Sequence, residues 1–468
     1  MHETELQEDP GLTPTLPPAG RQTYALFRNA DFTRYLLARF IAALGMQMMV
    51  TALDWELYKR AHSGLALGFV GLSLMVPMIL CTLPAGQVAD RFNRKKIILG
   101  STLMLGLASL GLTLTSAFIA LDQNVATFQM FAYALLVVVG VARTFLWPAS
   151  AAFVTALVAR EELPRAITFN SGAFQLSCVL GPSAAGVIIW LTHGAWPVYA
   201  VNVVFGLAAI ALIAGVRHEH KIPPREPVSL KSLITGFKFV YQNKIILGTI
   251  TLDMFAVLLG GAVTLLPIFA DGIIPLHNGA DGLGLGLLRA AIPVGAIICV
   301  FFIAHRPPLQ KAGRTMLLCV AIFGAATILF GLANRQCLGG FFPAMDGAWF
   351  WVAFGLMALC GAVDNVSVVV RATLVQILTP DDKRGRVSAV NSLFIGTSNE
   401  LGGAESGFTA QLFGPIMHHV HETAGPVYAQ AMATGAILSV VVGGFGTLAV
   451  VLVVAWLWPE IRRYGKLS

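Results

Sequence analysis

Twelve apolar segments, each long enough to cross a bilayer, set the limits on what this chain can fold into. They run over residues 33–58, 66–89, 96–118, 127–157, 165–191, 196–216, 245–270, 283–304, 315–333, 348–378, 386–413 and 427–458. A helix rises about 1.5 Å per residue, so about 20 residues cross the hydrocarbon core. Lipid supplies no hydrogen bonds, and such segments must satisfy their own backbone as helices. Charged residues make up 12% of the chain, about half the share of a soluble domain. The expected fold class is therefore an all-α polytopic membrane protein with twelve transmembrane helices.

The basic residues mark the sides. Arg21 and Arg28 precede segment 1; Arg91, Arg94, Lys95 and Lys96 join segments 2 and 3; Arg160 and Arg165 join 4 and 5. The 6–7 link carries Arg217, Lys221, Arg225, Lys231, Lys238 and Lys244. Arg306, Lys311 and Arg314, then Lys383, Arg384 and Arg386, and finally Arg462, Arg463 and Lys466 fall on that same side. The opposite links hold mainly Lys59, Arg60 and Arg335. By the positive-inside rule both termini are expected in the cytoplasm, on a multi-pass protein of the cell inner membrane. The net charge of +7 is then mostly a topology signal, and no folded basic domain is left for nucleic acid.

The expected organisation is a disordered cytoplasmic tail over 1–30, a six-helix bundle over 31–216, a central loop over 217–244, a second bundle over 245–458 and a short tail over 459–468. The acidic, Pro-containing N-terminus lacks the basic and apolar regions of a signal peptide. Six cysteines, five of them in apolar segments and none in a CxxC, read as packing residues. The stretch HHVH at 418–421 has no carboxylate cage and no cysteine nearby, so no metal site and no cofactor are expected.

The halves repeat. Residues 159–186 lie on 380–407 at a constant offset, matching Arg165 to Arg386, Asn170 to Asn391, Ser171 to Ser392, Gly181 to Gly402 and Gly186 to Gly407. Two pseudo-symmetric six-helix bundles related in this way place a binding site near the bilayer midplane, between them.

Two motifs carry a family resemblance. GQVADRFNRKK at 86–96 has Gly86, Asp90, Arg91, Arg94 and Lys95 at the spacing of the cytoplasmic loop signature of the major facilitator superfamily, with Asn93 in place of a glycine. An acid such as Asp90 at a helix C-terminus opposes the macrodipole and needs a partner. The resemblance implies a latch against the start of helix 11, near Val387 and Ser388; the plainer reading is a solvated basic turn. GPSAAG at 181–186 resembles part of the antiporter motif of drug exporters through Gly181, Pro182 and Gly186, with Ser177 and Ala185 departing from it. Together with the flanking stretches, the chain resembles the enterobactin-exporter and macrolide-efflux branch of drug:proton antiporters, from about residue 27 to 458. That resemblance implies the major facilitator fold, a monomer, and export of a siderophore-like, drug-like or other amphipathic or anionic small molecule in exchange for protons. A lysophospholipid flippase or uncoupled facilitator is the alternative within transport. No P-loop, HExxH or GxSxG occurs where it could act, so an enzyme or scaffold is a remote alternative.

Charges inside membrane segments are costly, at about 2.5–3.5 kcal/mol each on insertion scales, and tend to be functional. The cavity and coupling candidates are Arg39, Asp54, Arg143, Asp253, Asp364 and Glu400. The repeat offset sets Asp364 on Arg143; the resemblance implies that helices 1, 4, 7 and 10 line the central cavity, so an ion pair between them across the pseudo-twofold axis is expected, with Arg39 and Asp253 as a rougher second pair. Arg371, about 10 Å nearer the cytoplasm than Asp364, is expected to snorkel, and Glu56 to line the outer mouth beside Asp54. Trp55, Phe145 and Trp147 are the candidate substrate contacts.

Overall fold

A computed structural model describes residues 25–119, 124–217, 230–276, 280–304, 311–341, 348–380, 383–420 and 425–465. Twelve long helices occupy the predicted segments. In the N-terminal half they are α1 (Ala30–Ala61), α2 (Gly64–Arg91), α3 (Arg94–Phe118), α4 (Val125–Leu157), α5 (Leu163–Thr192) and α6 (Trp196–Ala214). In the C-terminal half they are α7 (Lys244–Leu259), α8 (Asp281–Ala304), α9 (Ala312–Leu332), α10 (Trp349–Leu378), α11 (Arg384–Gln411) and α12 (Pro426–Leu457).

Eleven of these spans are long and apolar enough to cross a membrane by length and composition, α7 being counted with its continuation to Ile273. The exception, α11, has 28 residues and carries Asn391, Asn399, Glu400 and Glu405. It packs against α2, α7 and α12, and its polar residues Asn399 and Glu400 face the space between the halves.

Side-chain caps begin several helices. The Asn29 Oδ1 accepts from the Asp31 and Phe32 amides, while its Nδ2 donates to the Leu157 carbonyl at 2.8 Å and ties the start of α1 to the end of α4. Asn93 stands at the motif's glycine place in an extended conformation, φ −62°, and its Oδ1 accepts from the Lys95 and Lys96 amides. The asparagine therefore substitutes as a helix cap and not as a left-handed turn.

The predicted central loop contains a helix, Leu230–Gln242. Its apolar face lies on α11, where the Phe237 and Phe394 rings sit 5.5 Å apart. The 1–24 tail, most of the loop before this helix, and the terminal residues 466–468 lie outside the described residues.

The two faces of the bundle are packed differently. On the face opposite the basic links, here the far face, one apolar core joins both halves, with Leu53, Leu57, Phe128 and Tyr199 continuous with Phe269, Leu285, Phe330 and Phe350. Toward the basic face the cores separate. One contains Phe32, Tyr35, Phe153 and Ile213 from the N-terminal half alone. Another contains Leu252, Met316, Leu374 and Val454 from the C-terminal half alone.

Small residues make the far closure possible. A Cβ on Gly186 of α5 would lie 2.6 Å from the Gly282 carbonyl of α8, so these backbones meet directly. One on Gly71 of α2 would lie 2.3 Å from the Glu400 carbonyl of α11.

Candidate functional site

A cavity of about 310 Å³ lies between the halves beneath this shared core. Its walls come from α1 to α5 on one side and from α8, α11 and the Thr264 turn on the other. That turn exists because α7 breaks at Gly260 and Gly261, after which a 3₁₀ turn, Ala262–Leu265, and a π-helical stretch, Phe269–Ile273, carry the chain to the far face.

Five sequence candidates line this cavity: Arg39, Asp54, Arg143, Trp147 and Glu400. Four charged side chains of its walls pair across the halves. Arg289 of α8 reaches Asp54 of α1, Nη2 to Oδ2 at 2.5 Å, and donates a second bond to Thr51 Oγ1 at 3.3 Å. Arg143 of α4 lies 3.6 Å from Glu400 of α11. Closer to the far face, Lys59 of α1 bridges Asp271 at 2.6 Å and Asp281 at 3.1 Å. Trp55 Nε1 donates to Asp281 at 2.6 Å. Every one of these contacts joins an N-terminal helix to a C-terminal element.

Arg289 is not among the sequence candidates, although the same rule marks it: it is a lone charge inside the 283–304 segment. Lys59, Asp271 and Asp281 read from sequence only as ends of segments. Nothing in their spacing tells that three such ends converge.

The predicted pairings are rearranged. Arg143 meets Glu400, and Asp364 instead lies within electrostatic range of Asp253 and Arg371. The repeat fixes height along a helix but not the direction a side chain faces. Both α4 and α10 end in register at Leu157 and Leu378, yet α4 contains Pro148 where α10 has Val369.

Asp253 does not meet Arg39; it forms a buried ion pair with Arg371, whose side chain is 4% exposed and so does not snorkel. Glu56 does not line the mouth. It is enclosed in the N-terminal half, where it accepts from Arg60 at 2.6 Å, Ser116 at 2.7 Å and Tyr199 at 2.9 Å. Trp55 acts at the far closure, and Phe145 is half-buried and is not among the residues lining the cavity.

The loop motif works mainly within its own half. Arg94 is buried, its Nη1 donating to the Ala152 carbonyl at 3.1 Å. Lys95 Nζ donates to the carbonyls of Ala214 at 2.9 Å and Val216 at 2.6 Å, at the C-terminal end of α6. Arg91 is exposed, and Gly86 lies within α2. The Asp90 side chain, and with it the latch, lies outside the described residues, as does His421 of HHVH.

Gly181, Pro182 and Gly186 mark the place where α5 touches both α1 and α8. A Cβ on Gly181 would lie 2.6 Å from that of Gln47, and one on Gly286 would lie 2.4 Å from the Pro182 carbonyl.

Residues 35–403 match the sequence family described as Major Facilitator Superfamily. An enterobactin exporter, EntS, of Shigella flexneri is 26% identical over 445 residues, covering 93% of each chain. Among solved structures, a D-xylose-proton symporter superposes with a TM-score of 0.67 at 13% identity, covering 92% of this chain and 99% of that one. A bacterial homolog of the human lysosomal transporter Spinster, in an inward-facing and unoccupied conformation, gives a TM-score of 0.64 at 16% identity, covering 95% and 99%.

Proposed function

The chain belongs to the major facilitator superfamily, and from that premise we propose that it exports a small organic compound from the cytoplasm across the inner membrane by alternating access, in exchange for protons. It is a multi-pass membrane transporter and not an enzyme. With the basic face in the cytoplasm, the far closure shuts the outer side and the structure is inward-facing. The relatives named as enterobactin exporters support export, with a catecholate siderophore as the first compound to test.

The observation that carries this reading is that the groups joining the halves are also walls of the cavity: Asp54, Arg289, Arg143 and Glu400. A substrate that takes either arginine as its partner weakens the outer closure. The halves then rock open outward. Carboxylates freed of their arginines accept protons from the outer side, and re-forming the pairs on closure returns those protons inward. Asp364 offers a second place to hold a proton, because it and Asp253 face a single Arg371 and leave one negative charge uncompensated. The transporter works as a monomer, since a complete cavity is formed by one chain.

Efflux of radiolabelled enterobactin from cells, with uptake into everted vesicles as its mirror image, tests the reading. Uptake is expected to require an interior-acid pH gradient. Uptake that continues unchanged after the gradient is collapsed would reject antiport and leave a facilitator or flippase.

A further inference from the structure

Resting on the reading of this cavity as the transport site, we infer that Arg39 is an anchor for the acidic group of an amphipathic organic anion. The charges at the closed end of the cavity compensate each other, Arg289 with Asp54 and Arg143 with Glu400. Arg39 also lines the cavity, yet its Nε is buried without a hydrogen-bond partner, and it forms no ion pair among the described residues. The hydroxyl of Tyr35, one turn earlier, does not serve it: that group donates to the Ser150 carbonyl at 3.0 Å. The cavity thus holds one positive charge more than it compensates.

A guanidinium left in that condition inside a membrane segment is costly, and a purely structural arginine acquires a carboxylate or carbonyl partner. Its planar fork suits a carboxylate, phosphate or sulfonate, which it can bind through two parallel bonds. Arg39 and Asp54 are fifteen residues apart on α1, about 22 Å by helix rise. Much of the wall between them is apolar, from Met46, Val50, Leu146, Trp147 and Phe174; Gln47 is the polar lining residue of α1 between the two, and the charges of Arg143 and Glu400 are paired. A ligand complementary to this surface has an acidic group at the cytoplasmic end, where it enters, and an apolar or aromatic body reaching toward the paired charges. A cation finds no unpaired acid there to receive it.

Trp147 in the same wall supplies the readout. The purified protein in nanodiscs of zwitterionic lipid is titrated with pyrenebutyrate, an aryl carboxylate that accepts tryptophan fluorescence, and with its neutral amide. The Trp147→Phe variant defines the signal that belongs to the cavity. The wild type is expected to bind the acid about ten- to a hundredfold more tightly than the amide, the range for a charge-assisted contact. Arg39→Gln should bind both compounds alike, with the amide affinity unchanged, and Arg39→Lys should recover part of the preference. Competition by lysophosphatidate that depends on Arg39 would assign the anion to the bilayer; competition only by soluble aromatic carboxylates would assign it to the cytoplasm. The inference is overturned if Arg39→Gln keeps the preference for the acid, or loses acid and amide equally. Binding is measured without a gradient. Charge preference retained without proton-driven efflux would therefore reject antiport alone, and charge-blind binding with intact efflux would reject the anchor alone.

Discussion

Asp54 and Arg289 meet at 2.5 Å with side chains 6% and 13% exposed, so neither can lose the other without consequence. Asp54→Asn is expected to abolish proton-driven efflux while substrate exchange across the membrane, measured as counterflow, continues. Glu400→Gln, opposite Arg143, should show the same split in a milder form because that pair is longer, at 3.6 Å. Loss of counterflow in Asp54→Asn would instead mean that the acid holds substrate. The Glu56–Arg60 pair is a different kind of contact, 1% exposed on both sides and wholly within one half. Arg60→Met leaves a buried carboxylate uncompensated and should destabilise the protein by about 3–5 kcal/mol, read as a fall in its thermal unfolding midpoint in detergent. The sequence marks these positions as charges in apolar segments, but it cannot distinguish the two roles. Asp54 and Glu56 are two residues apart, and the 3.6-residue turn sends one toward the cavity and the other into the N-terminal core.

Helix contacts carry the closure at the next scale. The α5–α8 crossing depends on Gly186, where a Cβ would already crowd the Gly282 carbonyl at 2.6 Å. Gly186→Val is expected to hold the outer side apart and raise the labelling rate of a cysteine placed at Ser63, with little loss of folded protein on size-exclusion chromatography. An unchanged labelling rate would show that the crossing does not set the equilibrium. Helix number, most helix ends within a few residues, and the likeness of the halves were legible from apolar length, basic links and the internal repeat; the exception is α7, which stops at Leu259 where its segment runs to 270. The segment over α11 was read as one of the twelve apolar spans, although α11 alone among them lacks the apolar composition of the rest. What remained hidden was the direction each side chain faces: Arg143 turns to Glu400 of α11, while Asp364 lies with Asp253 and Arg371 in its own half. The amphipathic pattern of LKSLITGFKFVYQ is a signal that could have revealed the helix in the central loop.

Taken whole, the molecule has one core that joins both halves at its far face and separate, smaller cores toward its basic face. Transport requires that asymmetry to invert. Ser63 and Gln411 hydrogen-bond across the rim of the far face at 3.0 Å. Oxidising a Ser63→Cys, Gln411→Cys double variant should therefore arrest efflux, and reduction should restore it; unimpeded efflux with the crosslink formed would refute closure at this rim. The break in α7 at Gly260–Gly261 bears on how the inversion proceeds. Below the break, Asp253 is fastened to α10; above it, Asp271 holds Lys59 of the other half. An unbroken rod would pull on both fastenings together. A jointed one lets its upper section lift like a shutter while the lower section stays bolted in place, so the far face can open without tearing the charged interior of its own half.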